Sequence, residues 1–266
     1  MILVRARVTR WLTDVPQPGL VEIQLDDVEG RTHRLVEKSA IVDSTGAVRR
    51  DGSFPITVDP ACRPRTQYPG LDARGRVNVV DLSPWGIGDD DVVYAIGREN
   101  LTWARPAAYS DLSVRARQAA GLVTFRRWRA SVGLTAPELD ALEEHLWQYA
   151  LVTPETFDEW HEADPLARLG SSEPLPVSLL RTLEASGIEP EELRSVIDSL
   201  IEITYGGLFG RLESRWSLSE LATVVAFARR QGVAPAPADA FDDCLWIDDD
   251  WGRPTETIVS RWRAGE

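Results

Sequence analysis

Arg105-Pro106-Ala107-Ala108-Tyr109-Ser110-Asp111 marks the place where one periodicity in the chain stops and another begins. Before it, Val4, Ala6 and Val8 alternate with Arg5, Arg7 and Thr9, and Val21, Ile23 and Leu25 alternate with Glu22 and Gln24. A period of two is that of a half-buried strand. Pro18-Gly19 precedes the second run, and Glu29-Gly30 marks a tight reversal into Arg34-Leu35-Val36-Glu37, so an antiparallel hairpin is expected. Further strands are expected at Phe54–Val58, Arg76–Leu82 and Val92–Gly97, punctuated by Asp51-Gly52, Tyr68-Pro69-Gly70 and Ser83-Pro84. Short strands with turns this frequent predict a small antiparallel β barrel or sandwich over residues 1–105.

After Pro106 the spacing is helical. Thr135-Ala136-Pro137-Glu138 has the form of a capping box, with Leu134 and Leu139 placed to close a hydrophobic staple. Ser217-Leu218-Ser219-Glu220 repeats it, flanked by Trp216 and Leu221. Thr153-Pro154 and Glu189-Pro190 put proline at a helix's tolerated first position, and Gly187 and Gly232 stand where helices stop. Leu193, Val196, Ile197, Leu200 and Thr204 give one helix an apolar face. The spacing predicts helices over about 111–131, 136–149, 154–163, 176–186, 190–205 and 218–231. Strands followed by helices argue for an α+β chain with segregated domains: an antiparallel β domain at 1–105 and an all-α domain at 106–233.

Ala234-Pro235-Ala236-Pro237 cannot continue a helix and opens a C-terminal segment, 234–266. Its core is Phe241-Asp242-Asp243-Cys244-Leu245-Trp246-Ile247-Asp248-Asp249-Asp250-Trp251, five carboxylates interleaved with aromatic and aliphatic residues. Phe241, Leu245 and Trp246 could dock this segment on the body, while Trp at the centre of a charged rim is a frequent binding hot spot. Thr257–Arg263 reads equally as a last strand or a short docked helix.

The formal net charge is −13. Residues 1–105 are nearly neutral, so the acidity belongs to the helical part and its tail. That argues against nucleic acid or an anionic membrane as partner, since both are bound by clustered positive charge. From Glu138 to Asp164 the chain has nine acidic groups and no Lys or Arg, and among them Glu155, Asp158, Glu159 and Glu162 are candidate partner contacts. The preceding helix is its mirror, with Arg115, Arg117, Arg126, Arg127 and Arg129. The two sets either neutralise each other or leave an acidic face free. No apolar run approaches a membrane span of about 18 residues. The N-terminus enters an alternating pattern without signal-peptide organisation, and two distant cysteines make no disulfide framework, so a cytoplasmic protein is expected.

Chemistry-bearing motifs are weak. His145 and His161 lie near several acids, but Glu159-Trp160-His161-Glu162 lacks the spacing that puts two imidazoles on one helix face, and both read as exposed helix histidines. Trp85-Gly86-Ile87-Gly88 before Asp89-Asp90-Asp91 lacks the lysine of a phosphate loop and reads as a turn. Cys62 sits among Arg63, Pro64 and Arg65, which could lower its thiol pKa, yet no histidine partner is identifiable. Tyr205-Gly206-Gly207-Leu208-Phe209-Gly210 reads as the end of a helix. No catalytic residue, metal ligand or cofactor follows from these stretches.

In overall profile the chain resembles immunity proteins of bacterial polymorphic toxin systems, on its net charge, the acidic run at 138–164 and the Asp242–Trp251 segment. The resemblance implies a non-catalytic protein that binds and masks a basic toxin domain. The contact residues would be Asp242, Asp243, Trp246, Asp248, Asp249, Asp250 and Trp251, together with the four acids at 155–162. The competing expectation is an enzyme or small-ligand binder with a pocket between the β and α domains, drawing on Tyr205, His161 and Arg127. Oligomeric state is left open.

Overall fold

The computed structural model describes residues 2–16, 18–43, 45–68, 77–83, 87–88, 92–103, 107–153, 155–163, 174–208, 214–246 and 252–265. The chain divides into two compact units, Met1–Pro106 and Ala107–Glu266. The first is built of strands and the second of helices.

In the first unit, alternation sends Val4, Ala6 and Val8 inward along β1 (Ile2–Val4) and β2 (Ala6–Thr13), with Arg5 and Arg7 outward. The strands β3 (Leu20–Asp26), β4 (Thr32–Lys38), β5 (Ile56–Val58), β6 (Ala61–Tyr68), β7 (Val77–Asp81), β8 (Val93–Gly97) and β9 (Leu101–Trp103) follow, with a short helix α1 (Ser39–Val42) after β4. They form two antiparallel sheets, ordered β8-β7-β6-β1-β9 and β4-β3-β2-β5. The β1–β2 and β5–β6 stretches each run from one sheet into the other, and a single apolar core lies between them. The barrel expectation is corrected: β4 and β8 end their sheets, so the strands do not close on themselves. At that seam Val28 donates its amide to the Ala95 carbonyl at 2.9 Å, and the rings of His33 and Tyr94 meet edge-on.

The β3–β4 hairpin is tied by Asp27, which is buried. Its carboxylate accepts from the Glu29 and Arg31 amides, the Arg31 guanidinium at 2.8 Å and His33 Nε2 at 2.9 Å. Burial alone would raise this carboxyl, but the bonds from His33 and Arg31 outweigh it and hold it well below the ordinary carboxylate range. Strand β6, which is not among the strands expected from the sequence, contains Pro64. The register shifts between Pro64 and Thr66, and such an irregularity tolerates a residue without an amide hydrogen. The strand also buries Cys62, and burial pushes its thiol up to about 12, opposite to the activation expected from neighbouring arginines. The Trp85-Gly86 and Asp89-Asp90-Asp91 turn lies outside the described residues.

The second unit is organised on α2 (Val114–Val132), whose Ala116, Ala119, Ala120 and Gly121 let neighbours approach closely. A Cβ on Gly121 would stand 3.0 Å from Ile203 and 3.2 Å from Leu200, both on α6 (Pro190–Leu208). Around it lie α3 (Pro137–Gln148), α4 (Phe157–Glu162), α5 (Val177–Ser186), α7 (Ser214–Arg230) and α8 (Glu256–Ala264). Among the described residues, no helix is long and apolar enough to cross a membrane.

Both expected capping boxes are corrected. Helix α3 is preceded by Ala136 without a side-chain cap, and Glu138 instead accepts from the Ser178 hydroxyl. Ser217 lies inside α7 and accepts from Arg117 at 3.0 Å. Among the described residues, Ser113 caps α2 by accepting from the Ala116 amide, and Thr255 caps α8 by accepting from the Ile258 amide. Helix α6 runs through Gly206-Gly207 to Leu208 rather than stopping before them.

The C-terminal segment is woven into this unit. The Ala236 amide donates to Thr124 Oγ1 at 3.0 Å, and Phe241 is buried against Trp262 of α8. Residues 111–113 and 244–246 pair like short strands, through Ser113 to the Cys244 carbonyl and Trp246 to the Asp111 carbonyl, each at 3.0 Å. A Cβ on Gly252 (φ +94°) would overlap Ser113 Oγ and Cys244 Sγ, so only glycine fits there.

Candidate functional site

The acidic run from Glu138 has two fates. Its first half faces the arginines of α2 and α8. Glu143 is buried, accepts from Arg126 Nε at 3.1 Å and pairs with Arg129, which also reaches Asp140 at 2.7 Å. Glu144 pairs with Arg263. The Arg126 and Arg263 guanidinium groups both lie over the Trp147 ring, 5.7 and 5.6 Å from its centre. An open cavity of about 350 Å³ beside these groups is lined by cations and carboxylates that already neutralise one another.

The second half is different. Glu155, Asp158, Glu159 and Glu162 are all exposed. Their spacing is i, i+3, i+4, i+7, which on α4 and the turn entering it makes one stripe. Among the described residues none of the four has an ion-pair partner. A hydrogen bond from the Thr153 hydroxyl holds the Glu155 carboxyl below its usual range. Carboxylates at i, i+4 oppose the helix by a few tenths of a kcal/mol per pair, although Asp158 and Glu159 suit its N-terminal turn. A six-residue helix with this surface depends on what its other face buries.

That face is aromatic. Trp160 is buried, stacked on His145 with ring centres 4.6 Å apart and on Tyr205 at 5.3 Å, and its Nε1 donates to the His145 carbonyl at 3.0 Å. Phe157 packs beside Trp160 and stacks on His161. Arg115 fixes the approach to α4 by donating to the Ala150 carbonyl at 2.8 Å and to the Val152 carbonyl. His145 is therefore corrected from an exposed residue to a buried one, with Nε2 3.2 Å from the Tyr205 hydroxyl. His161 is half-buried, its ring 5.8 Å from that of Tyr205. The structure thus brings Tyr205 and His161 together, while Arg127 is engaged by the Pro235 carbonyl at 3.1 Å. Among the described residues no three His, Cys, Asp or Glu side chains are placed to hold a metal ion.

In the C-terminal segment, Asp243 is buried and paired with Arg261, so its charge is neutralised inside the unit. Asp242 and Trp246 are half-buried. The Trp246 ring lies over the buried Arg117 guanidinium at 5.6 Å, and Arg117 also donates to the Tyr109 and Ser110 carbonyls at 3.0 Å. Asp248, Asp249, Asp250 and Trp251 lie outside the described residues. The α4 stripe was present in the sequence as spacing, but only the burial of Trp160 shows which side of the helix faces out. Comparison with known proteins found no matching family model, no matching curated protein and no matching solved structure.

Proposed function

We propose that the chain is a non-catalytic protein-binding protein that masks a basic partner, in the manner of a toxin-neutralising immunity protein acting in the cytoplasm. The observation that carries this reading is the stripe Glu155, Asp158, Glu159 and Glu162, exposed on a helix anchored from behind by Trp160. Arginines of the same unit neutralise Asp140, Glu143 and Glu144 of α3, whereas the four acids at 155–162 have no such partner among the described residues. A rigid negative stripe steers a positive surface into contact and raises the association rate, an effect that fades with salt. Asp248, Asp249, Asp250 and Trp251 are further proposed partner contacts on their sequence alone, and Asp242 and Trp246 on their partial exposure.

The test is co-purification of the tagged chain from its native cell, followed by binding of the captured partner to charge-reversed variants. Glu155→Lys, Asp158→Lys, Glu159→Lys and Glu162→Lys together should weaken binding at least tenfold and flatten its salt dependence. A partner that binds this variant with unchanged affinity and salt slope places the interface elsewhere.

A further inference from the structure

The outer face of the four-stranded sheet carries a pattern opposite in sign to that of α4. Register sets Thr57, Arg7, Gln24 and Arg34 in one row across β5, β2, β3 and β4. Arg5 shares this face, because with Arg7, Gln24, Asp26, Thr57 and Asn100 it lines one open depression of about 130 Å³. Two arginines here already hold carboxylates: Arg7 meets Asp26 at 2.6 Å, and Arg10 meets Glu22 at 2.8 Å. Arg5 and Arg34 continue the pattern, and Arg34 acts on Glu22 through space without a direct contact. Both are exposed, and among the described residues neither forms an ion pair. The sheet has four guanidinium groups on this face and two carboxylates, Asp26 and Glu22.

We propose that this face docks a carboxylate-rich polypeptide segment, with Arg5 and Arg34 taking its acidic side chains. Arg34 is two strands away from Arg7, and Arg5 is two residues along from Arg7. With strands about 4.8 Å apart and a rise of about 3.3 Å per residue, the backbones of Arg5 and Arg34 stand about 12 Å apart. An extended segment shows residues i and i+4 on one side, about 13 Å apart, so two acids at that spacing reach both guanidinium groups. The planar fork of arginine suits a carboxylate, and the Gln24 amide between them can serve the intervening backbone. A nucleic acid fits less well. The row offers no exposed aromatic ring on which a base could stack. This site lies in the strand unit and does not depend on the role given to α4.

Fluorescence anisotropy on the full chain tests it, using a labelled nine-residue Gly-Ser peptide with glutamate at positions 3 and 7. The same peptide with glutamine and a nine-nucleotide oligothymidine serve as comparisons. The glutamate peptide should bind at low salt, the glutamine peptide should not, and Arg5→Ala with Arg34→Ala should weaken binding at least tenfold. Thr57→Glu, which puts a competing carboxylate in the row, should weaken it too, while Arg63→Ala on the other sheet should leave it unchanged. Circular dichroism melting confirms that each variant is folded. Absence of binding, equal binding of the glutamine peptide, tighter binding of the oligonucleotide, or an unaffected double variant overturns the proposal.

Discussion

Glu143 and Glu159 stand in the same uninterrupted acidic run, yet one is buried between two guanidinium groups and the other faces water. The difference comes from what lies opposite. Helix α3 packs beside the arginine-rich α2, whereas α4 is attached through an aromatic stack and leaves its charged side uncovered. A count of charges along the chain gives both halves the same sign and density. Only the packing partner decides which charges stabilise the unit and which remain available to another molecule.

The contrast can be broken most sharply at the two glutamates themselves. Glu143→Ala leaves Arg126 and Arg129 without their shared carboxylate and should destabilise the helical unit by about 3–5 kcal/mol. Glu159→Ala should stay within about 0.5 kcal/mol of the parent. Urea unfolding of the two variants measures the difference, and equal effects would dissolve the distinction between the halves.

Asp27 extends the paired class to the strand unit. Its folded carboxyl lies below its ordinary value of 3.8. The stability it contributes is therefore fully present above that value and is lost as pH falls through the folded one. Asp27→Asn should cost about 1.5–3 kcal/mol at neutral pH and reduce the loss of stability below about pH 4, read by melts across acidic pH. A variant that loses stability in acid as steeply as the parent would show that another carboxylate is responsible.

The smallest effect concerns the caps. Ser113→Ala removes a side-chain bond to the Ala116 amide and should cost about 1 kcal/mol, while Thr135→Ala, which breaks no such cap, should change stability by less than about 0.5 kcal/mol. The reverse order would restore the capping box that the sequence suggested at Thr135.

These cases also show which parts of the molecule were legible beforehand. Helix positions followed from the 3.6-residue spacing and from Gly187, Gly232 and Pro190, because those signals are local. Strand β6 was hidden by Pro64, since a register irregularity depends on the neighbouring strand. Thr257–Arg263 was too short for periodicity to decide, and its helix is fixed by Thr255 at one end and Gly265 at the other. His145 looked exposed because Trp160 and Tyr205, which bury it, are 15 and 60 residues away in the chain. The acidic run itself was visible, but its division was not, because Arg263 and the α2 arginines reach it only through the fold.

Whether α4 presents its charge to a basic protein is tested most directly by the association rate of the captured partner. Stopped-flow measurements across a salt series should show a rate that falls steeply with ionic strength for the parent. For the chain reversed at Glu155, Asp158, Glu159 and Glu162 the rate should be slower and nearly independent of salt. Superimposable rate–salt curves for the two proteins would contradict the account.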